Sequence, residues 1–333
     1  METTWRELLR NVASDPLEQQ KILDSLNINA MTLKRWVNGE TNPRPQNLRL
    51  LLNALPQYRK QLLLLLTTEF PYIKQENLLQ DEQIALIPND FYERVMSTYV
   101  GVSQHMRSAT ISSLILQQIL KHLDPDLNGM LVYVAQCVPP TQGQKVRSLR
   151  MMAGNGTPPW STYVEYHPQF FGAESLAGYA VSSGHPSTLQ NRDEIQRIFP
   201  YDQIEDVRSA VAAPVLLANQ TAGAIYIAST QADFFSHAHL SLIQKYVELM
   251  CLAFERQEFY LLSDISLGVM PSSEQQLPAL VTFQSLVTQQ IILAAQENRT
   301  LTRLQAEKIA WQQLEEKLFI QMNEMMHRSE KTG

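Results

Sequence analysis

The sequence predicts a multidomain chain with an all-α head, an α+β domain that has a central antiparallel sheet, and a long C-terminal helix. Apolar residues recur at helical spacing in the first 70 residues, strand-like periods start only at Met130, and a helical pattern resumes at Leu277. We therefore expect a head over 1–70, a linker over 71–89, the α+β domain over 90–260 and the C-terminal helix over 277–327.

The head is predicted to consist of short helices. Leu33, Trp36 and Val37 recur at helical spacing, as do the apolar residues before them. The pair Asp15-Pro16 is typical of a helix start, and Asn38-Gly39 is typical of a helix end. A proline-containing loop follows, and two further apolar helices complete the head.

The middle of the chain predicts the α+β domain. A helical pattern over 90–123 is followed by strand-like stretches at 130–137, 145–151, 208–217 and 222–229, and then by a long amphipathic helix over 236–259. This order of elements is typical of an α+β domain, in which helices pack on a sheet.

The C-terminal segment predicts a helix from Leu277 to about Met326. Its later apolar residues step by three and then by sevens, while Lys308 and Glu315 interrupt the stripe. Two interpretations remain open at this point. The helix forms an imperfect coiled coil, or it packs on its own domain.

The composition and the N-terminal sequence exclude several classes of protein. The chain has 333 residues, 44% hydrophobic and 18% charged, which is typical of a globular protein. Its start lacks the pattern of a signal peptide, and the longest apolar run near the N-terminus, Leu62 to Leu66, is far shorter than a membrane span. With two cysteines, neither a disulfide framework nor a zinc site of cysteine type is expected. We expect a cytoplasmic protein with no membrane partner.

Charge is unevenly distributed. Residues 1–75 hold ten basic and seven acidic residues, a net charge of +3, which leaves −9 for the rest of a chain whose net charge is −6. A basic segment on an acidic body is typical of a DNA-binding head joined to a sensor, although a solvated helical surface gives the same pattern.

The stretch LKRWVNGETNPRP, within 19–55, resembles the helix-turn-helix of the lambda-repressor and Cro family (the XRE family). The resemblance implies a recognition helix from about Asn29 to Val37 that reads the major groove of double-stranded DNA. Asn27 replaces the usual turn glycine, and Leu23 replaces the usual alanine. The residues that the resemblance places at DNA are Gln19, Ala30, Met31, Thr32, Lys34, Arg35, Asn38 and Arg44. The alternative is a degenerate helical bundle used for protein contact.

The stretch from Ser175 to Glu255, with Ser183-Gly184-His185-Pro186 and the strand that ends at Pro214, resembles the second half of a GAF domain. The resemblance implies a small-molecule pocket between the sheet and its covering helices, with 151–179 as a lid. The candidate ligand-binding residues are Tyr133, Met152, Trp160, Tyr163, His167, Phe170, Phe171 and Tyr179. The alternative is that these aromatic residues fill a protein core. The sequence identifies no cofactor.

Several specialised sites of such domains are not expected. Cys137 and Cys251 are not where bilin-binding members carry their cysteine, and the cysteines of members that reduce free methionine sulfoxide are missing. The histidines have no carboxylate at ligand spacing, so no metal site is predicted.

The sequence thus predicts a ligand-responsive DNA-binding transcription regulator that acts as a homodimer. We find no nucleophile–base pair, phosphate-binding glycine loop or paired carboxylates, and therefore expect no catalytic residues and no enzyme. The alternative is a protein-interaction or dimerisation adaptor that uses a degenerate helix-turn-helix and an empty sensor scaffold. An enzyme built on the sensor fold is the weakest hypothesis.

Overall fold

The chain forms two compact units, Met1–Gln83 and Ile84–Gly333. The computed structural model describes residues 4–26, 28–55, 58–70, 86–141, 143–162, 169–200 and 204–330. The boundary between the units falls inside the predicted linker, whose residues 71–85 lie outside the described part of the chain.

In its described residues, the first unit is built from helices. They are α1 (Trp5–Val12), α2 (Pro16–Leu26), α3 (Ala30–Val37), α4 (Pro45–Ala54) and α5 (Arg59–Glu69). Helix α2 packs against α4, and α1 packs against α3 and α5. Their apolar faces meet in one core that includes Trp5, Leu33 and Trp36, each almost fully buried. Burial of these faces, more than helix propensity, stabilises helices this short.

The second unit contains helices and one sheet. Its helices are α6 (Asn89–Gly101), α7 (Gln104–Leu123), α8 (Leu176–Ser183), α9 (Arg192–Ile198), α10 (His237–Met250), α11 (Ser273–Leu280), α12 (Phe283–Gln296) and α13 (Arg303–Glu330). Its strands are β1 (Met130–Cys137), β2 (Leu149–Gly156), β3 (Phe170–Phe171), β4 (Ser187–Leu189), β5 (Ser209–Leu217), β6 (Gln220–Ser229) and β7 (Tyr260–Leu261).

The sheet is antiparallel throughout its named strands. Its order is β3-β2-β1-β6-β5-β4, and β7 pairs with one end of β6. Tyr133 of β1 lies opposite Tyr226 of β6 in this register. Strands β1, β5 and β6 are buried over most of their length, because both faces of the sheet are covered.

Each face of the sheet contributes to its own core. On the first face, Val132, Ile225 and Ile227 pack with residues of α6, α7 and α10. On the second face, Tyr133 and Tyr226 pack with residues of α8 and of the segments around it. The alternation of side chains along β1 and β6 divides the two sets.

The C-terminal helices pack on their own unit. Helix α12 packs along α13, and α11 also contacts α13. Leu314 and Leu318 of α13 are fully buried with Phe170 and Val138 of the sheet region. Of the two interpretations of this segment, the structure therefore contains a helix packed on its own domain.

Four predicted elements have different bounds in the structure. The helix predicted over 90–123 is two helices, because the chain turns at Val102 and Ser103. The helix predicted over 236–259 ends at Met250, where a 3₁₀ turn lets Phe254 and Phe259 enter the first-face core. The strand predicted over 145–151 starts at Leu149 and runs to Gly156, and the C-terminal helix is three helices.

One segment, 273–296, is the membrane-span candidate among the described residues by length and composition, and only 22% of its most apolar window is buried. The segment is interrupted at Val281 and Thr282, between α11 and α12. A single candidate of this kind is weak support for a span.

Candidate functional site

The predicted recognition helix lies at α3 and has two distinct faces. Asn29 caps its start, since the Asn29 side chain accepts a hydrogen bond from the Thr32 amide at 2.8 Å. Leu33, Trp36 and Val37 are buried in the first-unit core. Their burial fixes the rotation of α3, so the residues between them point away from the core.

The outward face of α3 carries four of the predicted DNA-contacting residues. Ala30, Met31, Lys34 and Arg35 are exposed, and Met31 keeps 66% of its surface accessible. Because two of these residues are cationic and two are apolar, the face combines charge with apolar surface. That combination is compatible with contacts to base edges and to thymine methyl groups.

An acidic side chain lies beside this face. Glu40 is 3.7 Å from the Arg35 guanidinium and accepts a hydrogen bond from the Asn38 amide at 3.2 Å. Both partners of the ion pair are more than half exposed. A contact of this kind contributes little to stability, and it competes with any phosphate for Arg35.

The other predicted DNA-contacting residues lie on neighbouring elements. Gln19 is half-buried on α2, and Arg44 is exposed at the position before α4. The Thr32 hydroxyl is already engaged, because it donates a 2.9 Å hydrogen bond to Asn29. Asn38 is exposed at the end of α3.

A polar network holds the loop after α3. Arg6 donates a 2.7 Å hydrogen bond to Asn42 in that loop and pairs with Glu69 at the end of α5. The Trp5 indole donates to the same carboxylate at 2.6 Å, and the Arg6 guanidinium lies 4.4 Å from the Trp5 ring centre. The loop that leads to Arg44 is therefore fixed to α1 and α5.

The second face of the sheet carries a stack of three aromatic rings. The ring centre of Tyr133 lies 5.0 Å from that of Phe171 and 4.6 Å from that of Tyr226. The interplanar angles are 3° and 17°, so the rings are nearly parallel. All three side chains are almost fully buried. The rings occupy the centre of the face that the sensor resemblance assigns to a ligand.

Small residues surround this stack. Ala210 and Ala212 of β5 and Ala224 and Ala228 of β6 line the same face, and α8 packs against both strands. Gly178 lets α8 come this close to the preceding loop, since a Cβ added there would lie 1.9 Å from the carbonyl oxygen of Gly172. Gly178 thus allows close contact between α8 and the loop before it, and α8 covers the alanine-rich part of the sheet.

The structure brings together only part of the predicted ligand-binding set. Tyr133 and Phe171 lie in the stack, and Trp160 is half-buried against the same core. Tyr179 is 51% exposed and packs edge-on against Phe199. Tyr163 and His167 lie outside the described residues.

Two members of the set lie elsewhere. Met152 packs with the first-face core and accepts a 3.3 Å contact from the Ser108 hydroxyl. Phe170 points away from its neighbour Phe171, because successive side chains of a strand alternate, and it packs against Trp311 of α13. The expectation that these residues share one pocket with Tyr133 is therefore wrong. Their binding role itself stays untested.

The sequence interpretation missed two residues that matter to these surfaces. Tyr226 completes the aromatic stack, and strand alternation with Ala224 and Ala228 could have placed it there. Glu40 flanks α3, and its nearness to Arg35 across the Asn38-Gly39 turn was a local signal.

The thiols lie in apolar surroundings. Burial raises the pKa of Cys137 far above its ordinary value, and burial raises the pKa of Cys251 to about 11. The thiolate forms that react as nucleophiles are therefore disfavoured at both positions. Among the described residues, no group of three or more histidine, cysteine or acidic side chains is arranged to hold a metal ion.

No family model matches the chain. No curated protein matches it either. Solved GAF domains are similar in structure over about half of the chain. The GAF domain of a phosphoenolpyruvate-protein phosphotransferase from Acinetobacter is 16% identical, covers 54% of this chain and 93% of its own, and gives a TM-score of 0.34.

Two enzymes are among the similar structures. A type II free methionine-R-sulfoxide reductase from Thermoplasma acidophilum is 16% identical over 47% of this chain and 96% of its own, with a TM-score of 0.34. The fRMsr of Staphylococcus aureus, in complex with substrate, is 13% identical over 51% of this chain and 99% of its own, with a TM-score of 0.34.

The prediction that the chain is not an enzyme is therefore contradicted. Proteins with a similar arrangement of sheet and helices include enzymes, so the fold does not separate this chain from catalysts. At these identities and TM-scores, the likeness assigns no activity, ligand or partner to this chain.

Proposed function

We propose that the chain is a ligand-responsive, DNA-binding transcription regulator, with the first unit as a helix-turn-helix head of the lambda-repressor and Cro type. The exposed face of α3 carries this proposal. Lys34 and Arg35 are exposed between buried Leu33 and Trp36, so the cationic side chains are held on the outside of a rigid helix. Cationic groups on a short, well-anchored helix suit the major groove of double-stranded DNA.

The surroundings of α3 support the same proposal. Arg44 is exposed before α4, and the polar network of Arg6, Asn42 and Glu69 fixes the loop between the two helices. Fixed cationic side chains at both ends of a loop would contact phosphates and set the position of the helix in the groove.

The second unit is proposed as a GAF-type sensor for a small molecule. The second face of the sheet supports this, because half-buried Trp160 borders the core that contains Tyr133 and Phe171 and offers flat aromatic surface to a ligand. A ligand changes DNA affinity only if it binds one state of the protein better than the other. A coupling of about 1–3 kcal/mol is typical of such regulators.

We further propose that the chain acts in the cytoplasm as a homodimer. One helix-turn-helix buries little surface on DNA, so a pair of copies that read two half-sites gains both affinity and specificity. The unequal charge distribution supports the DNA-binding part of this proposal, since the basic residues cluster in 1–75 and the remainder is acidic.

The test of the DNA-binding proposal is a mobility-shift assay with genomic fragments, including the promoter of the protein's own gene. We expect a discrete shifted species with at least one fragment, which unlabelled specific DNA removes and excess nonspecific DNA does not. Uniform, salt-sensitive shifts with every fragment would contradict a sequence-specific regulator.

A protein-interaction adaptor is the second candidate, and the aromatic stack favours it. Tyr133, Phe171 and Tyr226 are closely stacked and almost fully buried, so the rings fill the space between them. Native mass spectrometry of freshly purified chain distinguishes the two candidates. A bound mass that denaturation removes supports the sensor, and a chain that neither carries nor takes up small molecules supports the adaptor.

A further inference from the structure

Helix α12 presents an exposed face without any ionisable side chain. From Gln275 to Gln296 the sequence contains no acidic, basic or histidine residue, although 18% of the whole chain is charged. Val287 is buried against α13 and Ala294 is also buried, while Ile291, Ile292 and Leu293 are exposed. An exposed helix of a globular protein ordinarily carries charged residues on its outer side. This face therefore has the composition of a contact surface.

The same face has the shape of a helix-packing groove. An open groove of about 600 Å³ runs between two rows of side chains, each with a spacing of four residues. Gln284, Thr288 and Ile292 form one row, and Ser285, Gln289 and Leu293 form the other. Rows of this spacing are the ridges that fit into the grooves of a second helix with the same spacing.

We propose that this groove binds α12 of a second copy of the chain, so that the two helices cross about a two-fold axis. In such a contact, the residues at the two-fold axis lie near their own counterparts, and a charged residue there would be repelled by its copy. A face without charges avoids that repulsion. The glutamine, serine and threonine side chains both donate and accept hydrogen bonds, so they can pair with polar side chains of the second copy.

A bilayer fits this face less well. Helix α12 has 14 residues and is only about 21 Å long, against about 30 Å for the hydrocarbon core. Its inner side is covered by α13, and acidic residues flank the uncharged segment, with Glu274 in the first turn of α11 and Glu297 directly after α12. Helices that lie on membranes usually carry lysine or arginine on their polar face, and α12 has neither.

This inference deepens the proposed function, since it names the surface that joins two copies. It is tested without DNA, so its failure is distinguishable from a failure of DNA binding. Sedimentation velocity of the full chain at micromolar concentration should give twice the 38.0 kDa of one chain. The double variants Thr288→Glu/Gln289→Glu and Thr288→Lys/Gln289→Lys should each weaken dimerisation roughly tenfold or more.

Mixing the two double variants should restore the dimer, because opposite charges then face each other. Gln196→Glu, at an exposed glutamine of α9, is the matched control and should leave the mass unchanged. A monomeric wild-type chain, variants that dimerise like the wild type, or a mixture that stays monomeric would overturn the proposal.

Two further measurements keep the test decisive. If the double variants lose their helical circular dichroism signal, the neutral variant Ile292→Gln replaces them in the test. Ile292 is exposed, and its replacement should weaken the dimer. Sedimentation with phosphatidylcholine vesicles is the second measurement. Wild-type chain that sediments with vesicles, while the charged variants do not, would assign the face to a membrane and overturn the dimer contact.

Discussion

The hydroxyl of Ser148 donates a 2.5 Å hydrogen bond to the carboxylate of Glu315, 167 residues further along the chain. Arg147 contacts the same carboxylate at 3.1 Å. Glu315 is almost fully buried in the middle of α13, so this contact attaches the C-terminal helix to the residues just before β2. Buried carboxylates of this kind are costly to leave without partners.

The first prediction concerns the pH dependence that Glu315 causes. Burial, the largest influence, raises the pKa of this carboxyl above its ordinary value of about 4.3. The folded state therefore holds the proton more tightly than the unfolded state. The free energy of unfolding should fall as pH rises from about 4.3 through the raised folded pKa, and then level off.

Glu315→Gln should remove this contribution to the pH dependence of stability. Thermal unfolding between about pH 4 and pH 8 would measure it, because this range covers the ordinary pKa values of carboxyl and histidine groups, about 4 to 7. The matched control is Glu316→Gln, which removes the exposed neighbour that also contacts Arg147. It should keep the slope of the wild-type chain. Identical slopes for wild type and Glu315→Gln would refute the prediction.

The second prediction concerns the outward face of α3. Lys34→Ala/Arg35→Ala should weaken specific DNA binding by about 3 kcal/mol, because the two side chains would carry the contacts to base edges. Binding isotherms on the strongest genomic fragment would measure the loss. Arg192→Ala/Arg197→Ala removes two exposed charges from α9 and should leave the affinity unchanged.

Arg44→Ala extends this prediction to the phosphates. It should weaken binding to all sequences alike and lower the salt dependence by about one unit of slope. A folded Lys34→Ala/Arg35→Ala chain that binds like the wild type would rule out α3 as the reading helix.

The third prediction concerns Glu40. Its carboxylate holds Arg35 at 3.7 Å and adds negative charge beside the face that would meet phosphates. Glu40→Gln should therefore raise DNA affinity roughly two- to fivefold, in line with the small energy of an exposed ion pair. Glu248→Gln on α10 removes an equivalent exposed acid and serves as the control. Weaker binding by Glu40→Gln would contradict the assigned orientation of α3.

The orientation of α3 could be predicted from the sequence, because Leu33, Trp36 and Val37 follow helical spacing and that pattern is local. The role of Glu315 could not. In the sequence it interrupts an apolar stripe, whereas in the structure its partners are Ser148 and Arg147. A contact across such a sequence separation leaves no trace in local periodicity.

Around the second face of the sheet, too, some features could be predicted from the sequence and others could not. Strand alternation could have separated Phe170 from Phe171, but β3 has only two residues and is too short to be predicted as a strand. The register of β1 against β2 shifts between Val134 and Ala135, where Met152 is the extra residue of β2 and packs on the first face. Such irregularities depend on pairing between strands and are not encoded in one segment.

The fourth prediction concerns the aromatic stack. Tyr133→Ala should lower the free energy of unfolding by about 3–5 kcal/mol, because it leaves a cavity between Phe171 and Tyr226. Chemical denaturation would measure this loss. Tyr179→Ala, at a half-exposed tyrosine, should cost about 1 kcal/mol or less. Equal costs for both variants would show that the stack does not support the sheet.

The last prediction concerns Gln276, a fully buried amide on α11. Its Oε1 accepts a 2.7 Å hydrogen bond from the Phe170 amide, and its Nε2 donates to the carbonyl oxygens of Phe170 and Pro271 at 2.9 and 2.8 Å. The side chain thus pairs with β3 as an additional strand residue would. It links the C-terminal helices to the edge of the sheet.

Gln276→Glu should be strongly destabilising. A carboxylate cannot donate to the two carbonyl oxygens, and its charge would be buried beside them, so we expect a loss of about 3 kcal/mol or more. Gln275→Glu is the matched control, because the exposed Gln275 side chain accepts a hydrogen bond from the Ser272 amide, and a carboxylate can accept the same bond. Denaturation midpoints of the two variants would decide the matter. Similar midpoints for both would show that the sheet edge does not depend on the C-terminal helices.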